Sequence, residues 1–194
     1  WFRKLSTLAS SSSSSDETAD EGKLATASLL CASLPLASPA VLTRLLSRWC
    51  EDLGHLLSTS SSPDTRAAGA LAFAALVSRA VELPETRRDI SQFGSKLPSV
   101  LISNLLDPKS ALSASVSPQT QQSALAALSG VARSMPSMLK QSTQRVFDVL
   151  GNLFDHRMVV VAKSAGHCAG VVAANCLSDP SSFLNSVVAS LMKT

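Results

Sequence analysis

Four side chains in the C-terminal third are of types that could hold a metal: His156, His167, Cys168 and Cys176. Imidazole nitrogen and thiolate sulfur are the donors zinc prefers, but its structural sites draw on short-spaced pairs such as Cys-x-x-Cys or His-x-x-x-His. Neither spacing occurs, and an Ala- and Val-rich helical pattern surrounds the candidates. They read as helix interior. Nucleophilic catalysis fares no better. Serines are abundant and three histidines accompany them, but no Gly-x-Ser-x-Gly elbow places a serine on a strained turn. No glycine-rich loop cradles phosphate either. The expectation is a chain without catalytic, cofactor-binding or metal-binding residues, and not an enzyme.

Two segments have the spacing of a short docking helix. Leu42-Thr43-Arg44-Leu45-Leu46 and Leu53-Gly54-His55-Leu56-Leu57 both fit Leu-x-x-Leu-Leu, which needs its leucines exposed to enter a receptor groove. Here they continue one stripe through Val41, Leu42, Leu45, Leu46, Trp49, Leu53, Leu56 and Leu57, so burial is the expected fate. Basic side chains form a third group. Arg79, Arg87 and Arg88 lie around one inter-helix turn, and Arg133, Lys140 and Arg145 around a later one. Equivalent repeat positions line one edge of a stacked array, so these six are the candidate partner-binding residues, suited to rRNA phosphates or an acidic partner segment. Ordinary solvation of repeat turns is the competing account.

Composition says what must position such residues. The 194-residue chain is 45% hydrophobic, 16% charged and 4% aromatic, with no Tyr. Small apolar side chains let helix axes approach closely, whereas sheets favour β-branched and aromatic residues. The fold class expected is all-α. Net charge is only +3, too weak by itself to indicate nucleic-acid binding. No apolar run reaches the roughly 18–20 residues of a membrane span. The four cysteines sit inside helical patterns and read as reduced thiols of an intracellular protein. The chain opens without an initiator Met and reads as a piece of a longer protein.

Periodicity then supplies the architecture. Ala74-Ala75-Leu76, Ala126-Ala127-Leu128 and Gly170-Val171-Val172 are each followed eight residues later by a proline: Pro84, Pro136 and Pro180. The segment at residues 101–107 reappears, 48 residues on, at 149–155. A unit of roughly 45–50 residues with two helical patterns and a punctuating proline predicts an α-solenoid, right-handed and built from HEAT/armadillo-like helix pairs. Residues 1–194 form one such array. Residues 10–22, a serine run followed by acids, read as a disordered loop, with phosphorylation of the serines as a lesser option. Residues 108–118 read as a polar insertion. Helices are expected over 23–34, 38–57, 64–81, 85–91, 96–106, 119–135, 137–154, 157–175 and 181–192. The small-residue stretch 124–132 should be buried between neighbouring helices.

Leu83-Pro84-Glu85-Thr86-Arg87-Arg88-Asp89-Ile90-Ser91 leads into Leu97-Pro98 and Leu101, and Ala124-Leu125-Ala126-Ala127-Leu128 follows with Pro136. Ser28-Leu29-Leu30-Cys31 and the Trp49 helix precede them in order. This succession resembles the N-terminal helical-repeat domain of the Rix-complex scaffold family, called in animals the proline-, glutamic acid- and leucine-rich protein family. The resemblance runs from about Trp1 to Cys176 and is carried by helix-packing motifs; the acidic, proline-rich C-terminal region of animal members is absent from this chain. It implies a nuclear scaffold, nucleolar and nucleoplasmic, in late pre-60S ribosomal subunit maturation and rRNA processing. Its implied partners are a WD-repeat subunit, a second helical-repeat subunit, an AAA+ remodelling ATPase and the pre-60S particle. A weak rRNA contact and a homodimer belong to the same expectation. The alternative is a HEAT-type adaptor of the kinase-chaperone or transport type, binding a peptide or partner in its groove.

Overall fold

The computed structural model describes residues 16–60, 62–110 and 116–181. Among them are eight helices and no strand. They are α1 (Asp16–Ser33), α2 (Pro39–Thr59), α3 (Pro63–Val81), α4 (Pro84–Phe93), α5 (Leu97–Leu101), α6 (Pro118–Ser134), α7 (Thr143–Phe154) and α8 (Val159–Cys176). The expected helix beyond residue 181, residues 111–115 of the expected insertion and the serines at 10–15 lie outside the described residues.

Proline sets half of the starts. Pro39, Pro63, Pro84 and Pro118 each open a helix, where the missing N–H would have had no partner anyway. Two starts share a motif. In Ser62-Pro63-Asp64-Thr65 and Ser117-Pro118-Gln119-Thr120, the serine hydroxyl accepts the threonine N–H at 3.3 and 3.2 Å. Ser62 is thus the cap of α3, which begins one residue before the 64–81 expected from sequence.

Packing follows two tiers. Within one, α3 lies between α1 and α6, and α6 lies between α3 and α8. The other tier is α2, α4 with α5, and α7: α2 packs on α3, α4 and α5, while α7 packs on α8. The helices of the first tier run in the same direction, because like ends meet at each seam. At the α1–α3 seam, Asp20 meets Ser62 and Thr65 at one end, and the Ala37 carbonyl accepts from Arg79 at the other. At the α3–α6 seam, the Thr120 hydroxyl donates to Asp64 near the helix starts. Farther along, a Cβ built on Gly130 would sit 3.2 Å from the Ala74 Cβ. Both contacts join residues 56 apart, one helical turn beyond the 52-residue sequence repeat.

The core runs continuously through both tiers. Leu42, Leu46, Trp49, Leu53, Leu56 and Leu57 of α2 are all buried, so both Leu-x-x-Leu-Leu segments belong to it, with Leu45 half-buried. Ala124, Leu125, Ala127, Leu128, Val131 and Ala132 of α6 are buried, as the small-residue stretch predicted. Ala126 alone in that stretch is well exposed.

Four expectations need correction. The acidic half of residues 10–22 is not a loop: α1 begins at Asp16, and Asp20 is a fixed point of the fold. Its carboxylate accepts the Ser62 N–H at 3.1 Å and the Ser60 hydroxyl at 3.2 Å, and it sits 3.6 Å from the Lys23 ammonium. The helix expected over 96–106 turns π-helical at Ile102–Leu106, where the Asp107 N–H reaches the Ile102 carbonyl at 2.9 Å. In that turn the Asn104 amide donates to the Leu57 carbonyl of α2 at 2.6 Å. The helix expected over 137–154 is regular only from Thr143, after 3₁₀ turns at Pro136–Met138 and Lys140–Ser142. Finally, α8 is long and apolar enough by length and composition to cross a membrane, with mean hydropathy 1.3 over 18 residues. Lys163 and His167 interrupt the run in sequence but are diluted by Ala and Val. In the fold α8 packs on α6 and α7 through Val161, Ala165, Cys168, Ala169 and Val172.

Candidate functional site

The six basic candidates fall into two groups. Three are tied into the fold. Arg79, near the end of α3, donates to the Ala37 carbonyl at 3.0 and 3.3 Å and pairs with Glu82. Arg145, in the first turn of α7, donates to the Ser103 hydroxyl at 2.8 Å and pairs with Asp107 at 3.5 Å. Arg133, at the end of α6, lies 3.0 Å from Nε2 of His167 on α8. Since a guanidinium can only donate, the imidazole accepts there. The other three, Arg87, Arg88 and Lys140, are exposed, and their charged side chains make no hydrogen bond or ion pair with another described residue. Arg87 and Arg88 project from the outer side of α4, whose inner side buries Thr86 and Ile90.

Arg133 is the candidate placed in a concave feature. Between α6 and α8 runs a trough of about 350 Å³. Its α6 wall is Gln122, Leu125, Ala126, Ser129 and Arg133, one stripe at helical spacing; its α8 wall is Lys163, Ser164 and His167. The floor is apolar at Leu125 and Ala126; Arg133 stands at one end beside His167, and Lys163 adjoins Ser164, which faces Gln122. Ser129 is buried beneath, donating to the Leu125 carbonyl at 2.9 Å. The Gln122 amide reaches the Ser164 hydroxyl at 3.5 Å, the limit of a hydrogen bond. Among the described residues no acidic side chain lines the trough. Sequence inspection found Arg133 from its place near a repeat turn but missed Lys163 and Gln122. Lys163 lies in mid-helix, and only the pairing of α6 with α8 brings the two side by side.

The groups first considered for chemistry do not assemble. Cys168 is fully buried, while His167 faces the trough and His156 accepts the Met158 N–H at 3.1 Å. Among the described residues no three His, Cys, Asp or Glu side chains are grouped to hold a metal ion. Burial pushes the Cys168 thiol up to about 11, against the opposing pull of the Ser129 hydrogen bond and the Arg133 charge. Burial, with Glu51 adding repulsion, pushes Cys50 up to about 12. Both are neutral thiols at physiological pH, far from the thiolate that nucleophilic attack requires. Arg66 is buried as well, donating to the Ser60 carbonyl at 2.7 Å. Desolvation lowers its pKa, and the nearby Asp20 charge opposes that shift. It holds the α2–α3 connection to α1, which is a structural task.

No protein-family model, no curated protein and no solved structure matches this chain.

Proposed function

We propose that this chain is a non-catalytic helical-repeat scaffold of a nuclear complex acting in late pre-60S ribosomal subunit maturation and rRNA processing. Its architecture is read as a right-handed α-solenoid of HEAT/armadillo-like pairs. The observation that carries the scaffold reading is the same-direction packing of α1, α3, α6 and α8, backed by α2, α4 with α5, and α7. A repeated pair of this kind buries one face against its neighbours and leaves extended outer faces for partners. The ribosomal part rests on the sequence resemblance centred on residues 83–101 and 124–136. The partners are then a WD-repeat subunit, a helical-repeat subunit and an AAA+ ATPase, gathered on the pre-60S particle in the nucleolus and nucleoplasm.

The test is purification of the tagged full-length protein from nuclear extract with identification of what accompanies it. Pre-60S factors and those subunits are the expected outcome. Kinases with chaperones, or transport cargo, would replace this reading with that of a groove-binding adaptor, which the trough between α6 and α8 specifically favours. Reversing Arg87 and Arg88 to Glu should weaken a contact with the particle without lowering the melting temperature, since both side chains are exposed. In the unmutated protein that contact should weaken as salt rises.

A further inference from the structure

We propose that the trough between α6 and α8 binds an extended acidic peptide segment of a partner protein, with carboxylates held by Arg133 and Lys163. The proposal deepens the scaffold reading, on which it rests, by naming the chemistry of one partner. Charge is the first argument. Arg133 and Lys163 stand on opposite walls, and among the described residues no acid lines the space between them and neither cation pairs with one. The Arg133 guanidinium is held by His167 through one of its five N–H groups. It is therefore oriented while keeping donors for a carboxylate, the arrangement that favours a charge-assisted pair.

Shape and polarity narrow the occupant further. From Gln122 to Arg133 the α6 wall rises about 1.5 Å per residue, or roughly 16 Å in all. That length accommodates about five residues of extended chain at about 3.3 Å each. Leu125 and Ala126 offer an apolar floor to alternate side chains, and Ala126 is the exposed residue in an otherwise buried stretch. Gln122 and Ser164, weakly engaged with each other, present a side-chain amide and a hydroxyl suited to a peptide backbone. Nucleic acid is the poorer fit. Among the described residues no aromatic side chain lines the trough to stack on a base, and two cations with a histidine make too short a track for a phosphate backbone.

The experiment uses the 194-residue chain and a fluorescently labelled nine-residue peptide alternating Glu with Leu. Its Gln-for-Glu counterpart and a single-stranded RNA oligonucleotide serve as the other probes. The Glu peptide should bind, and binding should weaken as salt rises. Arg133→Gln with Lys163→Gln should reduce affinity at least about tenfold, the loss expected for two charge-assisted contacts, while the thermal melt stays where it was. Equal binding of the Gln peptide, undiminished binding by the double variant, or binding of RNA with no binding of the Glu peptide would each overturn the proposal. If peptide binding fails while pre-60S factors still co-purify, the scaffold reading stands and the trough assignment falls. If the peptide binds and those factors are absent, the adaptor reading takes its place.

Discussion

Helix α6 has two seams, and they are built differently. Towards α3, Gly130 meets Ala74 at close range and the Thr120 hydroxyl reaches Asp64, and Ala127, on the same stripe of the helix, is fully buried. Towards α8 the upper surface opens into a trough lined by Gln122, Arg133, Lys163 and His167. One helix therefore carries small residues where it must approach a neighbour and long polar ones where it faces solvent. The contrast separates stability from recognition on a single element. The α3–α6 seam should respond to changes in volume, and the α6–α8 trough to changes in charge.

The largest stability effect is expected at the seam before these, where Asp20 joins α1 to the α2–α3 connection. Asp20→Ala removes the acceptor of the Ser62 N–H and the Ser60 hydroxyl, together with the charge beside buried Arg66. It should cost about 2–3 kcal/mol, read as a lower denaturant midpoint with an unchanged slope. A midpoint within experimental scatter would mean that α1 is not anchored there. Ala127→Leu comes next. The fully buried site has no room for an isobutyl group, so overpacking should cost roughly 1–3 kcal/mol. For a chain of this size each kcal/mol lowers the melting temperature by about 2–4 °C.

Smaller effects sharpen the comparison. Thr120→Val keeps the shape of a buried residue and removes its hydroxyl's bonds to Asp64 and Ser117. A cost of about 1 kcal/mol is expected, since Asp64 is exposed and water replaces its lost partner. Thermal unfolding of the variant beside Thr120→Ser, which keeps the hydroxyl, would separate the bond from the methyl group's packing. Smallest of all is Arg133→Gln, which should move stability by less than about 0.5 kcal/mol, as exposed substitutions generally do. A larger loss would make the Arg133–His167 contact a structural clasp and not the rim of a binding trough.

Much of the architecture was legible in the sequence because its signals are local. The α2 stripe from Val41 to Leu57 and the buried stretch of α6 follow from helical spacing alone. The Ser-Pro-x-Thr starts of α3 and α6 were also there to be read, and their recurrence marks the starts of two neighbouring helices better than the alanines do. Other features were hidden because they depend on contacts distant in sequence. Asp20 looks like one more solvated acid until Ser60, Ser62 and Arg66 arrive some 40 residues later. The π-helical turn at Ile102–Leu106 accompanies a bond from Asn104 to the α2 carbonyl of Leu57, 47 residues away, which no local propensity encodes. The trough needs Lys163 of α8 and Arg133 of α6 on facing walls, and sequence spacing alone does not bring them together.

The division of α6 into a packing seam and a binding trough is tested most directly by measuring thermal unfolding and acidic-peptide affinity on two variants side by side. Ala127→Leu should lower the melting temperature and, below it, bind the peptide as the unmutated chain does. Arg133→Gln with Lys163→Gln should keep the melting temperature and lose the peptide. Two variants that each lost stability and affinity together would contradict the division, and α6 would then act as one undivided structural element.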